Sequence, residues 1–583
     1  MAKTVGTFSA ADYVVFTATL LISAAIGVFY AIRGGGQNST TQFLMADRSM
    51  RYLPISLSVL ASFFSASTLL GTPAEIYQFG TMYWVSVFGA VFAPLMGALL
   101  FGPMFFKIKV VSVFQYLELR FNSKLVRLFG AFIFLLRATI GMGIVLYGPS
   151  TALSAVTEFP TWAVIVVVGV VCTFYTSIGG MKAVIWTDVF QTVVMLAGMV
   201  AVLIKGFIVS GGGRDVWNIN YDGMRVEFFN FDFDPRVRHT FWSLIIGIFF
   251  VWLPPYTVDQ QMVQRFSSAK SMKDAKIALL LNIPGMAIMI TLCSLTGLTL
   301  FAYYADCDPL KRGEIDNPNQ LLPYFVMDIL GSAPGLPGLF VSSLFSGALS
   351  SVSSMLNSLS AVTWEDFLKP YMKNITDARA TKITKLLGKP YNKRTTSLHD
   401  IRHEYPGLNL LAIATASLTL NGAAGAPLVG LFILGACFTS TNWIGALAGG
   451  AFGLAFSLWL SVGTYITKPL NYKLPVTTEG CNLTANRSAT FTFYETSDYL
   501  NFSRPSTSAL EGINNLYGLS YLWFSSLGIV SCVAVGLLVS LVTGPTKEAD
   551  VDQSLQLRFF HQLAAVFSTR PASSPSPTRA SSA

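Results

Sequence analysis

The sequence predicts an all-α polytopic membrane protein, its helices discontinuous where prolines interrupt them, and three observations carry the membrane class. Of the 583 residues, 52% are hydrophobic and only 12% charged, with a mean hydropathy of +0.55. A soluble core of this size cannot absorb so much apolar side chain. Apolar runs long enough to cross a bilayer recur along most of the chain. One of them carries a row of hydroxyls at helical spacing, where lipid offers no water to satisfy them.

Twelve candidate spans lie near 11–32, 52–74, 82–105, 128–156, 161–180, 184–209, 241–257, 277–304, 335–363, 408–437, 442–467 and 518–543. The first lacks a small-residue cleavage site after it, so no cleavable signal peptide is expected. The run at 241–257 is the shortest and is interrupted by Pro254 and Pro255. Basic residues mark alternate short loops: Arg33, Arg48 and Arg51; Lys107, Lys109, Arg120 and Lys124; Arg265, Lys270, Lys273 and Lys276; then nine more between Lys369 and Arg402. Those loops are expected in the cytoplasm, which puts the N-terminus outside. The net charge of +9 reports such loops and implies no nucleic-acid partner. The long polar loop 468–517 holds sequons at Asn482, Asn486 and Asn501, which suggests glycosylation outside. Counting spans onward from Arg402 places that loop inside, so one span is missing between them. Sequons at Asn38 and Asn374 fall in expected cytoplasmic loops and are read as chance matches. The tail from Ser568 is low-complexity and expected to be disordered.

Residues 342–361 read SSLFSGALSSVSSMLNSLSA. At 100° per residue, Phe345, Leu349, Val352, Leu356 and Leu359 form an apolar stripe. Ser343, Gly347, Ser350, Ser354, Asn357 and Ala361 line the other side, with Ser351 at its edge. Close packing of small residues is one reading of that row and an ion-binding helix is the other. A second such stretch, 53–80, carries Ser62, Ser65 and Thr68 ahead of Gly71-Thr72-Pro73, where the helix could loosen and free carbonyls for a cation. An ordinary proline kink would leave the same sequence. Asp188 enters a span just after the Gly179-Gly180 turn, either as a helix-start acid or beside a cation path. Trp252, Tyr256 and Asp259 surround the double proline and could close over a small solute or serve as interfacial anchors. Arg137 could be read as a receptor for a carboxylate, but it is expected to snorkel to the cytoplasmic face, since 138–156 already suffices to span. His239, His399, His403 and His561 lie outside the spans, and no nucleophile motif, phosphate loop or metal-ligand cysteine spacing occurs. An enzyme is not expected. Cys172, Cys293, Cys437 and Cys532 fall in spans and read as inert core residues.

The stretches LLGTPAEIYQFG (69–80), YLELRFN (116–122), VCTFYTSIGGMKAVIWTDVFQ (171–191), RHTFW (238–242), PGLPGLFVSSLFSGALSSVSS (334–354), APLVGLFILG (426–435) and YGLSYLWFSS (517–526) resemble the sodium–solute symporter family. Within it the chain looks like the branch of sodium-coupled monocarboxylate, sodium-dependent multivitamin and sodium–iodide transporters. The resemblance implies an inverted repeat of two five-helix units, with one helix before and two after. It implies sodium as coupling ion, with no other cofactor, held by carbonyls of Ala61, Phe64 and Gly347 and hydroxyls of Ser350 and Ser351. Asp188 would lie on the ion's inner exit path, and Thr68, Tyr147, Trp252 and Tyr256 would flank a small organic anion. The expected activity is sodium-driven import of a monocarboxylate-like anion across the plasma membrane by alternating access. The alternatives are biotin or pantothenate import, or a non-transporting incomplete family member. Cys307 and Cys481 fall in loops that the family places outside, where a disulfide between them is expected. The branch usually reads Tyr-Gly-Val-Asn-Gln where this chain has Tyr256-Thr257-Val258-Asp259-Gln260, and tends to an aromatic where this chain has Asn421.

The implied divisions are residues 1–51 for the extra helix and first loop, 52–210 and 211–437 for the two repeats, 438–543 for the final helices with loop 468–517, and 544–583 for the tail. The second repeat lacks one helix, because 365–407 is hydrophilic where the family has a further span. Each mid-membrane Lys or Arg there would cost roughly 2.5–3.5 kcal/mol. An incomplete gene model or a splice form that skipped one helix is the expected cause, with a genuine twelve-span protein as the alternative.

Overall fold

The computed structural model describes residues 8–33, 39–157, 159–372, 375–388, 391, 419, 421–467, 473–482 and 512–557. Apolar runs close their own backbone hydrogen bonds by winding into helices, the only open-ended solution in lipid. Among the described residues there is no strand, only a bridge between Met50 and Ala269. Eight helices among the described residues are long and apolar enough to span, and a bent pair makes a ninth.

In chain order the main elements are α1 (Ala10–Arg33), α2 (Tyr52–Phe63), α3 (Ala66–Phe79), α4 (Thr81–Ile108), α5 (Lys124–Val156), α6 (Thr161–Val209), α7 (Ser243–Thr257) and α8 (Gln260–Ser267). They continue as α9 (Met272–Tyr304), α10 (Leu336–Val362), α11 (Ala426–Cys437), α12 (Trp443–Thr467) and α13 (Phe524–Val542). The runs at 161–180 and 184–209 both fall in α6, which is interrupted at Gly180 (φ 57°, ψ −162°), a backbone setting only glycine adopts without strain. The serine-rich α10 is the most enclosed of the long helices, packed along α6 and against α1, α5 and α2. Two late helices, α12 and α13, pack chiefly on each other through glycines.

Two cations expected in solvated loops are instead buried. Arg120 donates to the carbonyls of Gly435 and Phe438, each at 2.7 Å, and so satisfies the carbonyl end of α11. Arg265 lies at the heart of the molecule, because α8 folds inward after α7.

The hydrophilic stretch after α10 is partly described. Asp366 is buried and held by Arg127 Nε at 2.6 Å and by the hydroxyl of Ser112. Residues 377–388 form a helix that buries Ala380, Thr381 and Thr384 and sets Lys385 5.5 Å from the Phe43 ring. Residues 392–407, where the expected gap in the second repeat continues, lie outside the described residues.

Candidate functional site

The transport-site candidates meet where α2 breaks into α3. Phe64 leaves helical geometry (φ −88°, ψ 71°), and Ser65 restarts the chain in an extended conformation. The two halves are bent by 58°. The break is not at Gly71-Thr72-Pro73: Pro73 sits inside a continuous α3. Its position coincides with the approach of α10, whose Gly347 lies against the break. A Cβ there would come within 3.0 Å of Ala66 N and 3.3 Å of Phe64 O. A side chain at 347 would push against the break, a constraint that a reading of 53–80 alone could not contain.

The break leaves main-chain groups without helical partners, and α10 meets them with hydroxyls. Ser351 Oγ lies 2.8 Å from Ser62 O and 3.0 Å from Gly347 O. Ser62 Oγ lies 3.0 Å from Ser350 Oγ and 3.1 Å from Ser354 Oγ. Ala61 is buried just before the break. Phe64, Gly347, Ser350 and Ser351 are thus brought together in a cluster of oxygen donors.

Asp188 on α6 is fully buried beside this cluster. Its Oδ2 accepts from the Ser58 hydroxyl and, at 3.1 Å, from Arg265 Nη2. Arg265 also donates through Nε to Ser58 at 2.7 Å and through Nη2 to the hydroxyls of Ser62 and Ser354. The guanidinium therefore sits directly against the serines that flank the helix break.

On the other flank is a cavity of about 100 Å³, walled by Ser67, Thr68, Trp252, Arg137, Asp259 and Tyr83 among others. Thr68 and Trp252 both line this cavity, and Trp252 stacks on Phe64 at 6.2 Å. Tyr256 does not line the cavity. Its hydroxyl turns to Met286 Sδ at 3.1 Å, and its ring packs on Phe63 at 5.0 Å. Nor does Tyr147: on α5 it is Arg137 and Val145 that reach the wall, and two residues further along a helix point away.

Arg137 does not snorkel. It is only 7% exposed and forms an ion pair with Asp259, itself 4% exposed. The signal for this pair was present in the sequence as two opposite charges in apolar runs, each costly alone. Their separation of 122 residues concealed it.

Beyond α3 the chain is tied by different means. Cys307 and Cys481 are joined by a disulfide. Their loops exchange backbone bonds, from Asp308 N to Thr477 O and from Gly480 N to Asp306 O, both at 2.9 Å. Tyr77 of α3 donates to Asp308 Oδ2, and Leu474 N donates to Gln78 O at 2.9 Å. Glu75 receives Arg238 Nε at 2.7 Å and lies 3.1 Å from His239 Nε2. Asn486 and Asn501 lie outside the described residues, and Asn482 closes the short turn Glu479–Asn482.

Oxygen donors gathered at a discontinuous membrane helix, beside a small cavity, are an arrangement found in carriers that couple an ion to a solute. Residues 43–388 match the sodium:solute symporter family. The chain is 43% identical over 552 residues to sodium-coupled monocarboxylate transporter 1 of Homo sapiens, covering 93% of this chain and 89% of that protein. It is 40% identical over 552 residues to sodium-coupled monocarboxylate transporter 2 of Homo sapiens, covering 94% and 86%. It is also 40% identical over 540 residues to the sodium-dependent multivitamin transporter of Oryctolagus cuniculus, covering 92% and 83%. A solved structure of a Na+-coupled sialic acid symporter, substrate-bound and outward-open, superposes with a TM-score of 0.71 at 22% identity, covering 93% of this chain and all of that one. The chain belongs to the sodium:solute symporter family. It is a multi-pass, sodium-coupled solute symporter with an inverted-repeat transporter fold, and it is not an enzyme.

Proposed function

We propose that the chain imports a small organic monocarboxylate across the plasma membrane by alternating access, with its N-terminus outside. Sodium would be held by the carbonyls of Ala61, Phe64 and Gly347 with the hydroxyls of Ser350 and Ser351, leaving past Asp188. The supporting observation is the convergence of α10 hydroxyls on the broken helix beside the cavity. At about 100 Å³ that cavity is smaller than the roughly 150 Å³ pocket that holds a benzene ring. A three-carbon acid suits it better than a bicyclic vitamin. The substrate would rest against Thr68 and Trp252.

The second reading, vitamin import, is favoured by the 40% identity to the multivitamin transporter. Uptake of radiolabelled lactate, nicotinate, pantothenate and biotin, in sodium and in choline, separates the two. Sodium-dependent uptake of lactate, ahead of the ring-bearing nicotinate, is expected, and uptake of biotin and pantothenate alone would support the second reading. Sodium-independent uptake, or none across the panel, would overturn both and leave an incomplete family member. Glycans at Asn482, Asn486 and Asn501 would put loop 468–517 outside, and a mobility shift with peptide N-glycosidase tests that placement.

A further inference from the structure

Arg137 and Asp259 stand in the cavity wall, yet neither belongs to the oxygen cluster at the helix break. Arg137 lies thirteen residues into α5, about 20 Å along its axis, far from either end. A guanidinium so buried needs a counter-anion at all times. In this structure the anion is Asp259, whose Oδ2 meets Arg137 Nη2. Its other oxygen, Oδ1, accepts from Gln261 N at 2.8 Å and caps α8. The pair makes that wall formally neutral, so an incoming anion gains little from Arg137 while Asp259 remains on it.

We infer that Arg137 is the carboxylate-binding group of the cavity and that Asp259 is a tethered competitor, which the substrate's carboxylate displaces. This rests on the monocarboxylate reading. The guanidinium fork accepts one carboxylate in two-point contact. The exchange swaps one carboxylate for another, so the buried cation is never left bare. Asp259 stays anchored as the cap of α8 and, once displaced, keeps a negative charge near the site. The arrangement therefore selects for solutes bearing a single carboxylate and against dianions. The same eight-residue helix carries Arg265, which contacts Asp188 and the serines at the helix break. Displacing Asp259 thus acts on the element that borders the ion's site.

The test uses the full chain in cells. Asp259→Asn keeps a capping side chain but loses the charge. It should lower the KM for lactate by about tenfold, the effect of removing one charge-assisted competitor. Arg137→Gln should raise that KM by at least as much. The double variant R137Q/D259N should regain surface expression without regaining lactate affinity. An unchanged or raised KM in Asp259→Asn, or a double variant with the original KM, would show a purely structural pair and overturn the inference. If the single variants fail to reach the surface, or uptake is absent even in the parent chain, thermal unfolding in sodium with added lactate or lactamide decides. Stabilisation of the parent by lactate but not lactamide, lost in the double variant, supports the exchange. Equal effects of the two compounds, or a lactate effect kept in the double variant, refute it. Loss of parent uptake with lactate-specific stabilisation would count against the transport reading alone.

Discussion

The two sides of the broken helix are closed by different chemistry. Before the break, closure centres on one side chain: Arg265 spans Ser58, Ser62, Ser354 and Asp188 from a helix of only eight residues. Beyond it, closure is made largely of loops, with a disulfide, backbone bonds between loops 306–308 and 477–480, and the contacts of Tyr77 and Glu75. A side-chain lock can open by local rotation if another cation satisfies Asp188. A loop closure has to move as a unit. Alternating access needs both to yield in turn, so the contrast predicts that damage to them will look different.

The largest effect is expected at the side-chain lock. Arg265→Ala strands the fully buried Asp188, and removal of one partner of such a pair typically costs about 3–5 kcal/mol. Thermal unfolding of the detergent-purified chain should show that loss. The double variant D188N/R265Q should recover much of it while remaining impaired in sodium-dependent uptake. If Arg265→Ala unfolds at the parent temperature and transports normally, the contact is not a lock.

Next in size is the loop closure. Cys307 and Cys481 are 174 residues apart, so their cross-link removes a large loop entropy from the unfolded chain. Cys307→Ser with Cys481→Ser should cost about 2–4 kcal/mol by thermal unfolding. Because the loops keep their backbone bonds, sodium-dependent uptake below the new unfolding temperature should persist. Loss of uptake without loss of stability would erase the contrast, since the disulfide would then take part in the cycle itself.

A smaller effect isolates the oxygen cluster between the two closures. Ser351→Ala removes a hydroxyl within 2.8 Å of Ser62 O and should raise the sodium concentration for half-maximal uptake by about tenfold. The lactate KM at saturating sodium should change little. A variant altered only in surface expression would mark Ser351 as a packing residue.

How far the sequence revealed these features depends on whether local periodicity encodes them. The hydroxyl face of α10 was legible because a 3.6-residue repeat sorts Ser343, Gly347, Ser350 and Ser354 to one side. Asp188 was legible as a lone acid in an apolar run. The break at Phe64 was misplaced by nine residues onto Pro73, because the deciding contact comes from Gly347 on another helix. Arg265 was read as a loop cation for a similar reason: nothing near it in the chain shows that α8 turns inward to Asp188. Tyr256 had the right residue type in the right turn, but Pro255 lines the cavity and Tyr256 faces α9. Composition fixed the class; tertiary approach fixed the site.

The smallest effect concerns His239, at the loop closure and outside the spans. Its imidazole is 7% exposed, packed near the rings of Phe79 and Tyr83, with Arg238 beside it. Burial pushes its pKa below the ordinary 6.5, and the nearby Glu75 carboxylate only partly offsets this. The folded chain therefore holds this proton less well than the unfolded one. Between the lowered value and 6.5 the unfolded state binds more protons, so stability falls as pH drops through that window. At pH 7.5 both states are mostly neutral and the contribution vanishes. His239→Gln removes the titration while keeping a polar side chain. The parent should lose more unfolding temperature between pH 7.5 and 5.5 than the Gln variant does, with all other carboxylates common to both. A parent that gains stability over that range relative to the variant would mean that Glu75 holds a charged imidazole. The loop closure would then be locked by acid rather than loosened by it.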